Sequence, residues 1–239
     1  MRGSARRSRP GSGRHADGYT RPVEWKVLGA VPEEDIREVL AVARRRTFGK
    51  GEVVFHRGDP ADSFHLVTAG RFAVRATTPL GETTLLSIRG PGEAFGELAL
   101  IGGEGLRSAT ISALEPGETR AVFRADFDRL RLRHPGVNEI LVSLLADDVR
   151  RLTEHLSDAY YLDADERVRR RLGDLAEIYG GQGATIPLTQ EDVAGYAGTS
   201  RVTANRVLRQ EQERGALTLQ RGQITILDLS RFGRRPVRT

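Results

Sequence analysis

The chain has 239 residues, with 37 Lys and Arg against 32 Asp and Glu, and it contains no cysteine. This length allows two modest domains, and the missing cysteine excludes disulfides, thiolate metal sites and cysteine-ligated iron–sulfur clusters. No run of about eighteen apolar residues could cross a membrane, and no apolar segment follows the charged N-terminus as in a secretory signal, so we expect a cytoplasmic protein with no membrane partner.

The excess of positive charge lies in the two ends of the chain. Residues 1–22 hold six arginines against Asp17 alone, and residues 231–239 hold four arginines and no acid. A segment made of Gly, Ser, Arg and Pro has little apolar surface to bury. We therefore expect a disordered basic tail over 1–22 and a second basic tail over 231–239.

A helix followed by a β-rich region is predicted for the first half of the chain. Residues 32–44 place Pro and acids in a first turn and then apolar groups at helical spacing. From 46 to 123 the pattern changes to short β-rich runs separated by Gly and Pro turns, which is typical of a closed or rolled antiparallel structure. The predicted strands are 53–55, 64–67, 72–76, 83–88, 109–112 and 119–123.

Within that region, residues 95–113 have the parts needed to hold a small cyclic phosphate. Gly96 has no Cβ to keep a ligand from the backbone, and Glu97 offers an acceptor to a ribose hydroxyl. Residues 98–100 suit a short helical turn whose free amides face an anion, and Arg107 adds a planar charged fork. The alternative is a Gly-rich turn with Arg107 as a buried packing device. The ordered set resembles the phosphate-binding cassette of cyclic-nucleotide-binding domains.

A long helix is predicted over about 137–160. Its apolar residues recur at alternating spacings of three and four, which is the seam of a coiled coil. We expect this seam to form a dimer, the alternative being a single amphipathic helix packed on the β-rich region. The seam residues are Val142, Leu145, Val149, Leu152, Leu156 and Ala159.

The last part of the chain, from Asp163, predicts a winged helix-turn-helix. A helix over 164–179 ends at two glycines, Thr189 caps a short helix, and Gly198 suits the turn before a second helix capped by Ser200. Two β-rich runs after position 216 then form a hairpin wing. The second helix turns Ala204, Val207 and Leu208 inward.

The outward face of that second helix is basic and carries no acid, as a helix lying in the DNA major groove requires. The alternative is an Arg-rich solvated face on a helical hairpin. The residues expected to contact double-stranded DNA are Thr189, Ser200, Arg201, Val202, Thr203, Asn205, Arg206 and Arg209.

The full order of elements resembles the cAMP receptor protein family of bacterial transcription regulators over about residues 24–228. The resemblance implies a homodimer on a palindromic operator, with cAMP or a related cyclic nucleotide as effector and RNA polymerase as a further partner. It implies base reading by Arg201 and Arg206 and a phosphate contact by Thr203. The residues that it places around the nucleotide are Gly96, Glu97, Leu98, Ala99, Arg107, Ser108, Leu152 and Thr153.

Two positions depart from the family pattern. Leu152 stands where a hydroxyl would bond the adenine amino group, and Val202 stands where an acid would accept from a cytosine amino group. A same-fold regulator that is active without nucleotide, or that responds to another small ligand, is therefore the alternative. No Ser/His/Asp arrangement, metal-spaced His cluster or triphosphate loop appears, so we expect no enzyme, no catalytic residues and no metal.

The predicted fold class is α+β, with an N-terminal cyclic-nucleotide-binding β-roll, a long dimerisation helix and a C-terminal winged helix-turn-helix. Between the two tails, the expected divisions are a β-roll domain over 23–136, a dimerisation helix and hinge over 137–162, and a DNA-binding domain over 163–230.

Overall fold

The computed structural model describes residue 25 and residues 31–77, 83–101 and 105–232. The tail predicted over 1–22, and the tail predicted over 231–239 beyond Phe232, lie outside the described residues. The described chain combines helices with three antiparallel sheets, which confirms the α+β class. None of the described helices is both long enough and apolar enough to cross a membrane.

The first half of the chain forms a β-roll of two four-stranded antiparallel sheets. One sheet has the strand order β1-β8-β3-β6 and the other β2-β7-β4-β5. The strands are β1 (Arg44–Phe48), β2 (Val53–Phe55), β3 (Ser63–Ala69), β4 (Phe72–Thr77), β5 (Thr83–Arg89), β6 (Ala94–Phe95), β7 (Thr110–Ala113) and β8 (Gly117–Phe123). Each of the six predicted runs falls on one of these strands, while β1 and β6 were not predicted.

Three helices pack around the roll. They are α1 (Glu33–Val42), α2 (Arg124–Arg133) and the long α3 (Val137–Tyr161). The predicted first helix ended two residues too late, because Arg44 already pairs with Ala121 of β8. The sequence did not predict α2, whose buried side chains are Phe127 and Leu130.

The buried apolar residues near the start of α3 and the exposed apolar stripe farther along it lie on different faces of the helix. Val137, Ile140 and Leu144 are buried against the roll. The predicted seam residues are exposed or, at Leu145, half-buried. The stripe therefore does not serve as the face that packs on the roll, which was the alternative interpretation.

The winged helix-turn-helix follows the predicted order. Its elements are α4 (Ala164–Ile178), β9 (Thr185–Ile186), α5 (Gln190–Tyr196), α6 (Arg201–Glu213), β10 (Leu217–Gln220) and β11 (Gln223–Ile226). Thr189 and Asp192 form a capping box on α5, Ser200 caps α6, and Gly198 takes the left-handed conformation with φ 58° between them. Ala204, Val207 and Leu208 are fully buried, as predicted.

The winged helix-turn-helix is joined to the β-roll through β4 and β5. Leu85 and Ile88 of β5 belong to the same apolar cluster as Leu172 of α4 and Val193 of α5. Polar contacts border that cluster: the Arg75 guanidinium lies 3.0 Å from the Asp192 carboxylate. Strand β5 is consequently covered on one side by the winged domain.

Candidate functional site

A cavity of about 270 Å³ lies between the predicted cassette and helix α3. Seven of the eight predicted nucleotide contacts line it, the exception being Thr153, whose exposed hydroxyl donates to the Val149 carbonyl at 2.8 Å. The lining residues are Phe55, Ala61, Val74, Leu86, Ser87, Arg89, Phe95, Gly96, Glu97, Leu98, Ala99, Leu106, Arg107, Ser108, Ala109, Ile111, Asp148, Arg151 and Leu152.

Gly96 is required by the local geometry of the cassette. It takes φ 81° at the start of a 3-10 turn, Glu97–Leu100. A Cβ at this position would lie 3.0 Å from Arg107 Nη1 and 3.2 Å from the Ser63 carbonyl. Glycine is therefore favoured both by its left-handed backbone and by the close approach of the arginine.

Arg107 is buried and only partly satisfied by the protein. Its Nη1 donates to the Ser63 carbonyl at 2.5 Å, its Nη2 donates to Asp62 Oδ1 and Ser63 Oγ, and its guanidinium lies 3.9 Å from the centre of the Phe55 ring. Among the described residues, its buried Nε has no hydrogen-bond partner. Burial lowers the pKa of Arg107, which the negative charge of Asp62 opposes. A buried, desolvated cation with a free donor suits an anionic ligand.

Glu97 lines the same cavity and interacts both with this arginine and with charged residues that include Asp148 of α3. Burial raises the pKa of Glu97, the negative charge of Asp148 raises it further, and the positive charge of Arg89 lowers it. Glu97 also acts on Arg107, where its negative charge opposes the lowering of the pKa. The cavity lining thus combines Arg107 and Glu97 of the cassette with Arg89, Asp148 and Arg151.

The charged cluster on the α3 wall was not among the predicted site residues. Asp148 Oδ1 accepts from Arg89 Nη2 at 2.7 Å and also from Arg151 Nη2. Arg89 comes from the end of β5, whereas Asp148 and Arg151 lie one turn apart on α3. In sequence, the two α3 residues appear only as charged neighbours of an apolar seam, so a local pattern gave no signal for them.

The predicted DNA-binding residues lie on α6 and at the start of α5. Arg201, Val202, Arg206 and Arg209 are exposed, and Arg206 makes a bidentate pair with Asp165 of α4 at 2.9 and 2.5 Å. That pairing lowers the pKa of Asp165. Ser200 bonds the backbone of Thr203, and Arg209 Nε donates to Asn205 Oδ1 at 3.0 Å.

A second groove lies between α5 and the wing. It has a volume of about 280 Å³, and its walls include Thr189, Gln190, Arg201 and Arg221. The Thr189 hydroxyl bonds the Asp192 carboxylate and accepts from the Asp192 backbone N–H, so the main role of Thr189 here is to cap α5. The described residues do not bring three or more His, Cys, Asp or Glu side chains together as a metal site would need.

Comparison with known proteins assigns both halves of the chain. The family model for the cyclic nucleotide-binding domain matches residues 45–134, and that for the Crp-like helix-turn-helix domain matches residues 166–235. The CRP-like cAMP-activated global transcriptional regulator of Mycobacterium tuberculosis is 35% identical over 196 residues, which cover 79% of this chain and 86% of that protein.

Two further relatives agree with this assignment. The cyclic AMP receptor protein of Thermus thermophilus is 34% identical over 198 residues, which cover 83% of this chain and 90% of that protein. The solved structure of the c-di-GMP-responsive global regulator CLP of Xanthomonas campestris is 25% identical, with a TM-score of 0.69 over 82% of this chain and 99% of that one. This chain belongs to the cAMP receptor protein family of transcription regulators.

Proposed function

We propose that this chain is a homodimeric DNA-binding transcription regulator, acting on DNA in the cytoplasm, whose effector is a cyclic nucleotide. The observation that carries the proposal is the cavity whose one wall is the Gly96–Arg107 cassette and whose other wall is α3. A ligand held there touches the helix that presents the apolar stripe. Ligand binding and the dimer interface therefore share one element.

The cassette supports a cyclic phosphate as the charged part of the effector. Arg107 supplies a buried cation whose Nε–H has no partner in the described part of the chain, and Gly96 allows this arginine to approach the backbone closely. Glu97 is placed to accept from a ribose hydroxyl. The relatives are described as responding to cAMP in two cases and to c-di-GMP in a third, so we assign the effector as cAMP or a related cyclic nucleotide.

The stripe on α3 supports a second copy of this chain as partner. Val149, Leu152 and Leu156 are each more than half exposed in the protomer. They recur at the spacing of a coiled-coil seam, where side chains of this type pack into a facing helix. A symmetric dimer would present two copies of α6 to a palindromic site.

Nucleotide binding is tested with variants of Arg107. Loss of a charge-assisted hydrogen bond costs roughly 1.5–3 kcal/mol, so Arg107→Ala should weaken binding of cAMP and cGMP at least about tenfold in calorimetry. Arg107→Lys keeps the charge but not the planar fork, so its nucleotide affinity should lie between that of the parent and that of Arg107→Ala. Arg129→Ala is the matched control, because Arg129 is exposed and pairs with Asp126 on α2. Unchanged affinity in both Arg107 variants would contradict the cassette assignment.

DNA binding is tested by selecting duplexes from a random pool with the full chain. We expect a palindrome whose half-sites lie about one helical turn apart. Sedimentation of the protein with the selected duplex should give two chains per duplex. Unselective binding, or one chain per site, would contradict the dimer. Full operator affinity in Arg107→Ala without nucleotide would support the ligand-independent regulator instead.

A further inference from the structure

An apolar side chain, Val202, stands among polar ones on the exposed face of α6. Val202 is the second residue of the helix and is 79% exposed. The residues three, four and seven positions farther along the same face are Asn205, Arg206 and Arg209. These polar groups bond one another or Asp165 of α4, and they leave the methyl groups of Val202 open to solvent.

The fold of the protomer does not account for an apolar group at this position. The core face of α6 is formed by Ala204, Val207 and Leu208, which are fully buried, and Val202 points away from it. A β-branched side chain also favours a helix less than Ala, Arg, Lys or Glu would. Neither packing nor helix propensity therefore explains Val202, and its apolar surface is available to whatever α6 binds.

A base pair offers one feature that matches such a surface. In a helix-turn-helix, the residues near the start of the second helix contact base edges in the major groove. Those edges carry hydrogen-bond donors and acceptors, which an isopropyl group cannot use, and a single apolar group, the C5-methyl of thymine. Contact between the two removes apolar surface of both from water.

The basic neighbours of Val202 place it over a base rather than over the DNA backbone. Arg201 precedes it, and Arg206 follows one turn later on the same face; both are exposed. Arginines on such a face contact guanine edges or phosphates, so they draw this side of α6 toward the groove. An apolar side chain held close to phosphates would gain nothing, because it would only displace their hydration.

We propose that Val202 is a specificity-determining residue that contacts the C5-methyl of one thymine in each half-site of the operator. This inference rests on the proposed function, since it names a base for the same DNA-binding helix. The contact is apolar and uses no hydrogen bond of the base. A 5-methylcytosine therefore supplies the same contact, whereas uracil and unmethylated cytosine do not.

The test uses the full-length protein and the duplex that it selects from the random pool. Thymines of one half-site are replaced one at a time by uracil, which keeps the base pair and removes only the methyl group. We expect one thymine at which uracil lowers the affinity about fourfold in a DNA titration. At that same position, 5-methylcytosine should bind about fourfold more tightly than cytosine.

Variants of Val202 assign the methyl contact to this side chain. Val202→Ala removes both methyl groups without disturbing the core, so the thymine-to-uracil affinity ratio should fall from about four to less than two. Val202→Ile keeps a branched apolar side chain and should retain the ratio. Leu132→Ala is the control, because Leu132 is an equally exposed apolar residue, at 83%, on α2 of the β-roll. Its ratio should equal that of the parent.

The possible results separate this inference from the proposed function. The Val202 assignment is overturned, while sequence-specific DNA binding stands, if the selected half-site contains no thymine that depends on its methyl group. It is also overturned if Val202→Ala keeps the parent ratio, since another residue then contacts that methyl. If the protein selects no duplex at all, the proposed function fails together with the inference.

Discussion

Gly195 lies at a close approach of α5 to β5, and its replacement by alanine tests the docking of the two halves. The Thr84 hydroxyl donates to the Gly195 carbonyl at 3.0 Å. A Cβ at Gly195 would lie 2.9 Å from Thr84 Oγ1, 3.2 Å from the Leu85 nitrogen and 3.3 Å from the Thr84 Cα. Two of these three neighbours are backbone atoms of a paired strand, which cannot rotate away.

Two opposing effects set how much Gly195→Ala changes the free energy of unfolding. Alanine in place of glycine stabilises a helix by about 1 kcal/mol at most. Overpacking a close contact costs about 1–3 kcal/mol, and a strained hydrogen bond from Thr84 costs about 1 kcal/mol more. The clash therefore outweighs the helix propensity, and we expect a net loss of about 2 kcal/mol. For a chain of this size, that lowers the melting temperature by about 4–8 °C.

The assay is thermal unfolding of Gly195→Ala, Thr84→Ala and the double variant. Thr84→Ala removes the hydroxyl oxygen that lies nearest to the added Cβ. Gly195→Ala should therefore lower the free energy of unfolding by at least about 0.5 kcal/mol less in the Thr84→Ala background than in the parent. Gly49→Ala is the control, because its Cβ would meet only Glu52 at an ordinary 3.7 Å. If α5 did not pack on β5, only the helix propensity of alanine would act, and Gly195→Ala would melt at a higher temperature than the parent. That result would refute the docking.

Three other expectations follow from the same structure. Burial lowers the pKa of His65 to about 3 from 6.5, so the unfolded chain takes up a proton first as pH falls below 6.5. The free energy of unfolding should therefore fall by about 2 kcal/mol between pH 7 and pH 5 through this group. Urea unfolding at both pH values should show that His65→Phe lacks this loss. Arg206→Ala should flatten base preference at one or two positions of the selected operator, by about tenfold, whereas Asp165→Asn should leave that preference intact. Leu152→Thr should lower operator affinity without nucleotide and steepen the response to it, measured by DNA titration with and without cGMP or cAMP; unchanged ligand-free affinity would contradict a role for Leu152 in the seam.

Elements whose signals are local could be predicted from the sequence. The helix α3 follows from apolar spacing, and α5 and α6 follow from the Thr189 and Ser200 caps around Gly198. The cassette is also local, because Gly96 and Arg107 are held within one short stretch. These features need no knowledge of distant parts of the chain.

Elements formed through distant pairing could not be predicted. Strand β1 begins with three exposed arginines, and its partner β8 lies more than seventy positions away. Asp148 gave no signal because its partner Arg89 comes from a different strand, and in isolation it is a charged flank of a coiled-coil seam. The charged cluster on the α3 side of the cavity is therefore a product of tertiary structure.

Strand β5 connects that cavity to the DNA-binding half within a single protomer. Leu86, Ser87 and Arg89 line the cavity, while Leu85 and Ile88 of the same strand pack in the core of the winged domain. A ligand bound in the cavity would contact a strand against which α5 is packed. Because a ligand shifts an equilibrium only by its differential affinity for the two states, a nucleotide whose affinity depends on the position of β5 would also bias the placement of α5.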